Sequence, residues 1–296
     1  MEQPLSSLNI EENRLNDLKS LGYHYLTNKD SLKKYFEDEE FKNITKPPKT
    51  KTAFDLYIEQ SNFGTIFTFL PGLDSILSEE IVSGNIIELY GESGSGKTQI
   101  CLRLCVNVQL PTLFGGRDGE SLYICTNYNF SKSRVEEIAL ETINRFNNAG
   151  LSDFNLTIKE MLSKITHIQL NHYAELIAVV IHLKRLLKTK KIRLIIIDSL
   201  TILAEEINFE DRRGFLFTLL SDLQKLGDQH GFAIILTNNI TLGNESKEIT
   251  KIPALGDNFF HRINSRIELK RVSNNNYKAT LIKSCVNAKK DNYFNI

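Results

Sequence analysis

The 296-residue chain has no net charge, with 36 Lys and Arg set against 36 Asp and Glu. No global basic field draws it to nucleic acid, so any DNA contact has to come from a local patch. Nor does it contain an apolar run near the roughly 20 residues that a bilayer crossing needs. The opening Met-Glu-Gln-Pro-Leu-Ser-Ser lacks the basic and apolar regions of a signal peptide, so none is expected. Cysteine is sparse: the four lie at 101, 105, 125 and 285, without metal-ligand spacing. They are expected to be reduced and buried. The six histidines are scattered without a ligand pattern. What remains, 41% hydrophobic and 24% charged, is ordinary for a globular chain. The length leaves room for one large domain and a small one.

One stretch stands out against this plain background. Residues 91–98 read Gly-Glu-Ser-Gly-Ser-Gly-Lys-Thr, the pattern G-x-x-x-x-G-K-[ST]. The apolar run Ile86 to Tyr90 before it reads as a strand, and Thr98 to Val108 after it reads as a helix. That context is what a phosphate loop requires. Gly91, Gly94 and Gly96 let the backbone curl where a Cβ would obstruct. The N–H groups of Gly91, Glu92, Ser93, Gly94, Ser95, Gly96, Lys97 and Thr98 then form an anion nest. The following helix adds roughly half a positive charge at its N-terminus. Lys97 is expected to reach the β- and γ-phosphates of ATP, and the Thr98 hydroxyl to hold Mg²⁺. A second part lies 100 residues on: Leu194-Ile195-Ile196-Ile197-Asp198 reads as a buried strand ending in an acid. Asp198 is expected in the Mg²⁺ shell beside the loop.

The rest of the chain falls into three parts: a short helical N-terminal segment (1–45), a basic linker (46–60) and an ATP-binding core (61–296). In the first, Leu15, Leu18 and Leu21, then Leu32 and Tyr35, suggest two short helices. In the linker, Pro47 and Pro48 stand among Lys46, Lys49 and Lys51, which reads as a solvated spacer. From residue 53 on, strands alternate with helices. Strands are expected at 86–90, 121–126, 165–170, 193–198, 232–237, 265–271 and 278–284. Helices are expected at 97–109, 131–147, 172–188 and 211–229. This is an α/β pattern, a mostly parallel sheet flanked by helices. The Ser273 to Asn276 turn between the last two strands makes the C-terminal portion antiparallel. The cluster Lys184, Arg185, Lys188, Lys190, Lys191 and Arg193 reads as a solvated helix end rather than a nucleic-acid patch.

Further residues bring a family into view. Phe67-Thr-Phe-Leu-Pro-Gly-Leu-Asp-Ser-Ile-Leu77 precedes the loop, and Gly96-Lys-Thr-Gln99 opens its helix. Val108-Gln-Leu-Pro111, Phe114-Gly-Gly116, Thr237-Asn-Asn239 and Pro253-Ala-Leu-Gly256 follow in that order. The series resembles the RecA/RadA recombinases over roughly residues 53–296. Within them it is most similar to the eukaryotic recombinase paralogues of the Rad-fifty-one group, the C-type paralogue closest. The resemblance implies a RecA-type core that binds ATP and Mg²⁺ and contacts single-stranded DNA. It also implies a nuclear paralogue complex that assists the main recombinase in homologous recombination and double-strand break repair.

Carried over residue by residue, 91–98 are the phosphate loop and Asp198 the Mg²⁺ acid. Asn239 ends the triplet that senses the γ-phosphate, where the family usually has glutamine or histidine. The family's strand after the Phe-Gly-Gly turn commonly ends Thr-Glu, the Glu activating water. Here it ends Thr126-Asn127, so only weak, DNA-stimulated hydrolysis is expected. The two DNA-channel loops, 203–214 and 242–253, look short. They offer Arg212 and Arg213, then Lys247 and Lys251. The N-terminal helical domain looks truncated. Phe54 with Leu56 falls where the family docks an aromatic onto a neighbour, and core packing fits the same residues. Two rivals stand beside this reading. One is a non-catalytic scaffold subunit that uses ATP to hold an interface. The other is an unrelated RecA-core NTPase such as a helicase, which would need the missing carboxylate.

Overall fold

The computed structural model describes residues 5, 10, 12–23, 33–37, 50–150, 156–245 and 248–296. Leu32, Lys46, Pro47, Pro48, Lys49 and Lys247 lie outside the described residues. The chain divides into two compact units, Met1–Leu56 and Tyr57–Ile296. In the first, helix α1 (Glu12–Ser20) buries Leu18 in a small cluster with Leu5 and Phe36. A second helix, α2 (Ala53–Phe63), occupies part of the span read as linker. Its Phe54 and Leu56 are 69% and 47% exposed, so they pack in no core.

The second unit is built on one eight-stranded sheet. Its elements in chain order begin with α3 (Pro71–Leu77), β1 (Ile86–Gly91), α4 (Lys97–Asn107), β2 (Glu120–Cys125) and α5 (Lys132–Asn148). Then come α6 (Ile158–Ser163), β3 (Ile165–Gln169), α7 (Tyr173–Thr189), β4 (Ile192–Asp198) and α8 (Leu200–Glu205). The series continues with α9 (Phe209–His230), β5 (Ala233–Asn238), β6 (Ile240–Glu245), β7 (Glu248–Pro253) and α10 (Gly256–Phe260). It closes with β8 (Ser265–Arg271), β9 (Asn276–Lys283) and β10 (Asp291–Asn295). The strand order is β10-β9-β8-β1-β5-β4-β2-β3. Pairs from β8 to β3 are parallel, and β8–β9 and β9–β10 are antiparallel. This is the expected RecA-type arrangement.

The sheet is buried on both faces because its central strands are mostly apolar. In β1, Ile87 and Leu89 join one core cluster while Ile86 joins the other. In β4, Leu194 and Ile196 alternate with Ile195 and Ile197 in the same way. A strand hydrophobic on both faces needs helices on both faces. Helices α4 and α5 cover one side, and α7, α8 and α9 the other. Glu88 is the exception in β1. It is fully buried, where Arg266 donates to it and Asn238 Nδ2 donates at 2.5 Å. Burial pushes its carboxyl up against the opposing pull of Arg266.

Several expectations are revised. The segment 203–214 is no open loop: it holds the end of α8 and the start of α9, with only residues 206–208 between. The segment 242–253 is most of a two-stranded hairpin, β6 paired antiparallel with β7. Cys101, Cys105 and Cys125 are buried free thiols, but Cys285 is exposed. Half of the basic cluster at the end of α7 and just beyond it is engaged in the unit itself. Lys190 pairs with Glu120 at 2.9 Å, Lys191 with Asp118 at 2.8 Å, and Arg193 Nη1 donates to the His230 carbonyl at 2.8 Å. Among the described residues no helix is long and apolar enough to cross a membrane.

Candidate nucleotide site

Strands β1, β2, β4 and β5 run parallel, so their carboxyl ends open on one edge of the sheet. That edge is where open α/β sheets place ligands. The phosphate loop leaves β1 there, Asp198 ends β4, and Asn127 and Asn239 follow β2 and β5. Together they line a cleft of about 940 Å³ that also takes in residues of β6, β9 and the end of β8. All eight loop residues, Gly91 to Thr98, contribute to it.

The loop backbone is shaped for an anion. Gly94 and Gly96 hold φ of +78° and +91°, the left-handed region where a side chain is strained. A Cβ on Gly91 would lie 2.2 Å from the Leu269 carbonyl oxygen and 2.6 Å from Ser95 Oγ. Lys97 is only 9% exposed, and its Nζ donates to the carbonyls of Gly91 at 2.7 Å and Glu92 at 3.0 Å. Burial pushes its ammonium below the ordinary lysine value, with Asp198 opposing. Phosphate oxygens would supply the anionic partner that such a group lacks. Ser95 Oγ and Ser199 Oγ are buried in the same cleft without a partner among the described residues.

The acid end is tightly ordered. Asp198 Oδ2 accepts from Thr98 Oγ1 at 2.7 Å and from Tyr123 Oη at 2.6 Å. Its Oδ1 accepts from Thr237 Oγ1 at 2.6 Å. Thr98 and Asp198 are thus brought together, as the sequence implied. A hydroxyl and one carboxylate are hard oxygen ligands that suit Mg²⁺ completed by phosphate oxygens. The residues present therefore fit both nucleotide and metal. No cluster of three or more His, Cys, Asp or Glu offers an alternative metal site among the described residues.

Of the expected triplet, only Asn239 reaches the cleft. Asn238 is turned inward: its Oδ1 accepts from Thr201 Oγ1 at 2.8 Å while its Nδ2 serves Glu88. Thr201 Oγ1 in turn accepts the Asn239 backbone N–H at 3.2 Å. Asn127 also lines the cleft, and its Oδ1 accepts the backbone N–H of Asn129 at 3.3 Å. Lys251 is one of the expected DNA contacts. It lines the nucleotide cleft and forms an ion pair with Glu92 of the phosphate loop, which holds that carboxyl below its usual range.

Sequence reasoning missed Tyr123, Arg271 and Tyr277. Tyr123 carried a faint signal, since a tyrosine inside a buried strand needs a partner for its hydroxyl. Arg271 and Tyr277 carried none; the cleft takes them in only because β8 and β9 pair antiparallel beside β1.

The sequence profile of the Rad51 family matches residues 60–296, most of the chain. The chain belongs to the Rad51 family. It is 32% identical over 234 residues to DNA repair protein RAD51 homolog 3 of Cricetulus griseus, covering 74% of this chain and 63% of that protein. It is 36% identical over 195 residues to DNA repair and recombination protein RadA of Aeropyrum pernix, covering 64% of this chain and 57% of that protein. RAD51 homolog 3 of Dictyostelium discoideum is 29% identical over 251 residues, covering 79% of this chain and 66% of that protein. The matched region thus spans under two thirds of the length of each of these three relatives. Membership of the Rad51 family, with likeness to RAD51 homolog 3, agrees with the resemblance read from the sequence.

Within the Rad51-type core, Tyr123 is one of three hydroxyl residues that hold Asp198. Tyr123→Phe removes one charge-assisted hydrogen bond and little volume. It should raise the Mg²⁺ concentration needed for half-maximal nucleotide binding by about 10- to 150-fold, as a bond of roughly 1.5–3 kcal/mol to a charged group implies. Metal-free nucleotide binding should be unchanged. A Mg²⁺ titration at fixed nucleotide reads both.

Proposed function

We propose that this chain is an ATP-binding, single-stranded-DNA-associated recombinase paralogue that serves homologous recombination and break repair within a nuclear paralogue complex. The observation that carries the reading is the cleft itself. A complete phosphate loop, Lys97 beneath it and Thr98 bonded to Asp198 are the parts that Mg·ATP requires. The names of the relatives, DNA repair and recombination proteins, supply the setting. Bound Mg²⁺ would neutralise phosphate charge. Lys97 would hold the β- and γ-phosphates, and Asn239 would hydrogen-bond the γ-phosphate. Hydrolysis is weak in this reading, because Asn127 cannot take a proton from water as a carboxylate does.

A second reading rests on that same Asn127: a subunit that binds Mg·ATP to hold an interface and does not turn it over. Steady-state phosphate release separates the two. Slow release stimulated by single strands supports the first, and none above background supports the second.

The DNA claim is tested by a salt series. The chain has no net charge, Lys251 is engaged with Glu92, and Arg212 donates to a backbone carbonyl, Ile207 O at 3.1 Å. Few phosphates can be neutralised by the chain alone. Each contributes about −0.7 to the salt slope on single strands. Fluorescence anisotropy should show weak binding with a shallow slope, steepened when a second Rad51-family paralogue is added. Tight binding by the isolated chain, with a slope that the partner leaves unchanged, would refute the reading that a partner paralogue supplies most of the DNA contact.

A further inference from the structure

We propose that a pocket between α9 and the residues following α10 holds one nucleotide unit of single-stranded nucleic acid, its base stacked on Phe217 and its phosphate on arginines. The inference rests on the single-strand reading above and names where the strand is held. The pocket has a volume of about 470 Å³ and an apolar floor that includes Leu255 and Phe259, both nearly fully buried. Its walls carry Arg212 and Arg213 from α9 and Arg262 from beyond α10.

Three observations converge here. First, the Arg262 guanidinium carbon lies 3.7 Å from the centroid of the Phe217 ring, while 55% of Phe217 remains exposed. The ring is therefore backed by a cation and still open to a second planar group. Second, the Nε atoms of both Arg212 and Arg262 are buried without a hydrogen-bond acceptor among the described residues. Native structures rarely leave buried donors unpaired, and two in one pocket mark a place where an acceptor belongs. Arg212 Nη2 donates to the carbonyls of Glu205 and Ile207 at 3.5 and 3.1 Å, which fixes where its guanidinium lies. Third, none of Arg212, Arg213 and Arg262 takes part in an ion pair among the described residues. Glu210 on the rim sets one carboxylate against these three guanidinium groups.

The combination selects the ligand. A free phosphate or an acidic peptide would use the arginines and leave the exposed ring without a role. A base within a duplex has both faces covered by its neighbours. An unpaired nucleotide offers a π-face to Phe217 and an anion to the guanidinium groups, the pairing by which sequence-tolerant single-strand binders work. The placement also accounts for the cations that sequence reasoning assigned to two loops. Lys251 is drawn to the phosphate loop, and the arginines of α9 gather with Arg262 instead.

The chain contains no tryptophan. Phe217→Trp therefore places a single indole on the proposed platform. In the full chain, oligothymidylate should quench its fluorescence, and an abasic phosphodiester strand of equal length should not. Phe217→Ala should weaken oligothymidylate binding by about 5- to 150-fold with the salt slope unchanged. Arg213→Ala should instead lower the slope by about 0.7 and weaken both strands alike. Because both side chains are exposed, each variant should keep the parent's circular dichroism and Mg·ATP affinity. If the parent binds the strand but Phe217→Ala binds it equally well and the indole stays unquenched, the stacking site is wrong and the single-strand reading survives. If the abasic strand matches oligothymidylate in every arm, the pocket is a bare phosphate site and the proposal falls. If the parent binds no strand, alone or with a partner paralogue, both readings fall together.

Discussion

Lys97→Ala should bind Mg·ATP about 10- to 150-fold more weakly than the parent, the loss expected when a charge-assisted hydrogen bond of roughly 1.5–3 kcal/mol disappears. Lys97 is nearly buried, and burial already holds its ammonium below the ordinary lysine value. Without nucleotide its charge is met by two neutral carbonyls of the loop. Phosphate oxygens would replace neutral acceptors with charged ones at this nearly buried ammonium, and such charge-assisted bonds are roughly twice as strong. The alanine variant loses that exchange but no packing layer of the core. Its melting temperature without nucleotide should stay close to the parent's. The difference should emerge on adding Mg·ATP, which stabilises the parent by about 2.7 kcal/mol at 100 times its Kd. An equal rise in melting temperature for parent and variant would remove the phosphate-loop assignment.

Much of this site could be read from the chain because its parts are local. A phosphate loop is eight consecutive residues, and Asp198 announces itself by ending the run Leu194 to Ile197. The central strands were legible for the same reason. Burial on both faces makes them mostly apolar, and the helices between them keep a 3.6-residue period. What escaped depends on pairing across the chain. Strand β10 is Asp-Asn-Tyr-Phe-Asn, a polar edge strand that shows no alternation and forms because β9 supplies its hydrogen bonds. Strands β6 and β7 pair only with each other among the described residues. The fate of Lys251 is set by Glu92, 159 residues away, and that separation has no signature in either neighbourhood. Arg212 and Arg213 look alike in sequence, yet one is tied to backbone carbonyls while the other is exposed.

Asn127→Glu should raise the steady-state rate of ATP hydrolysis by about 10²–10⁴-fold, the usual contribution of a positioned general base. The backbone around this position is held firmly. Thr126 Oγ1 donates to the Ser199 carbonyl and accepts the Ser199 N–H, both at 2.9 Å, which ties the end of β2 to the end of β4. Residue 127 therefore enters the cleft from a fixed point, close to Asn129 and on the same edge as Asp198 and Asn239. The Asn127 amide can orient water but cannot take its proton. A glutamate adds the carboxylate, and its oxygens can still accept the Asn129 N–H that Asn127 Oδ1 receives now. Its charge would also repel the γ-phosphate, so a modest loss of Mg·ATP affinity should accompany the gain in rate. Asn127→Gln is the necessary companion, since it has the length of glutamate without the basicity. If proton abstraction is what the parent lacks, only the glutamate accelerates turnover, and its rate falls as pH drops through the carboxylate's range. Equal rates for the two variants would show that reach rather than basicity limits the site. A parent already turning over at about 10 per second would show that Asn127 is no impediment at all.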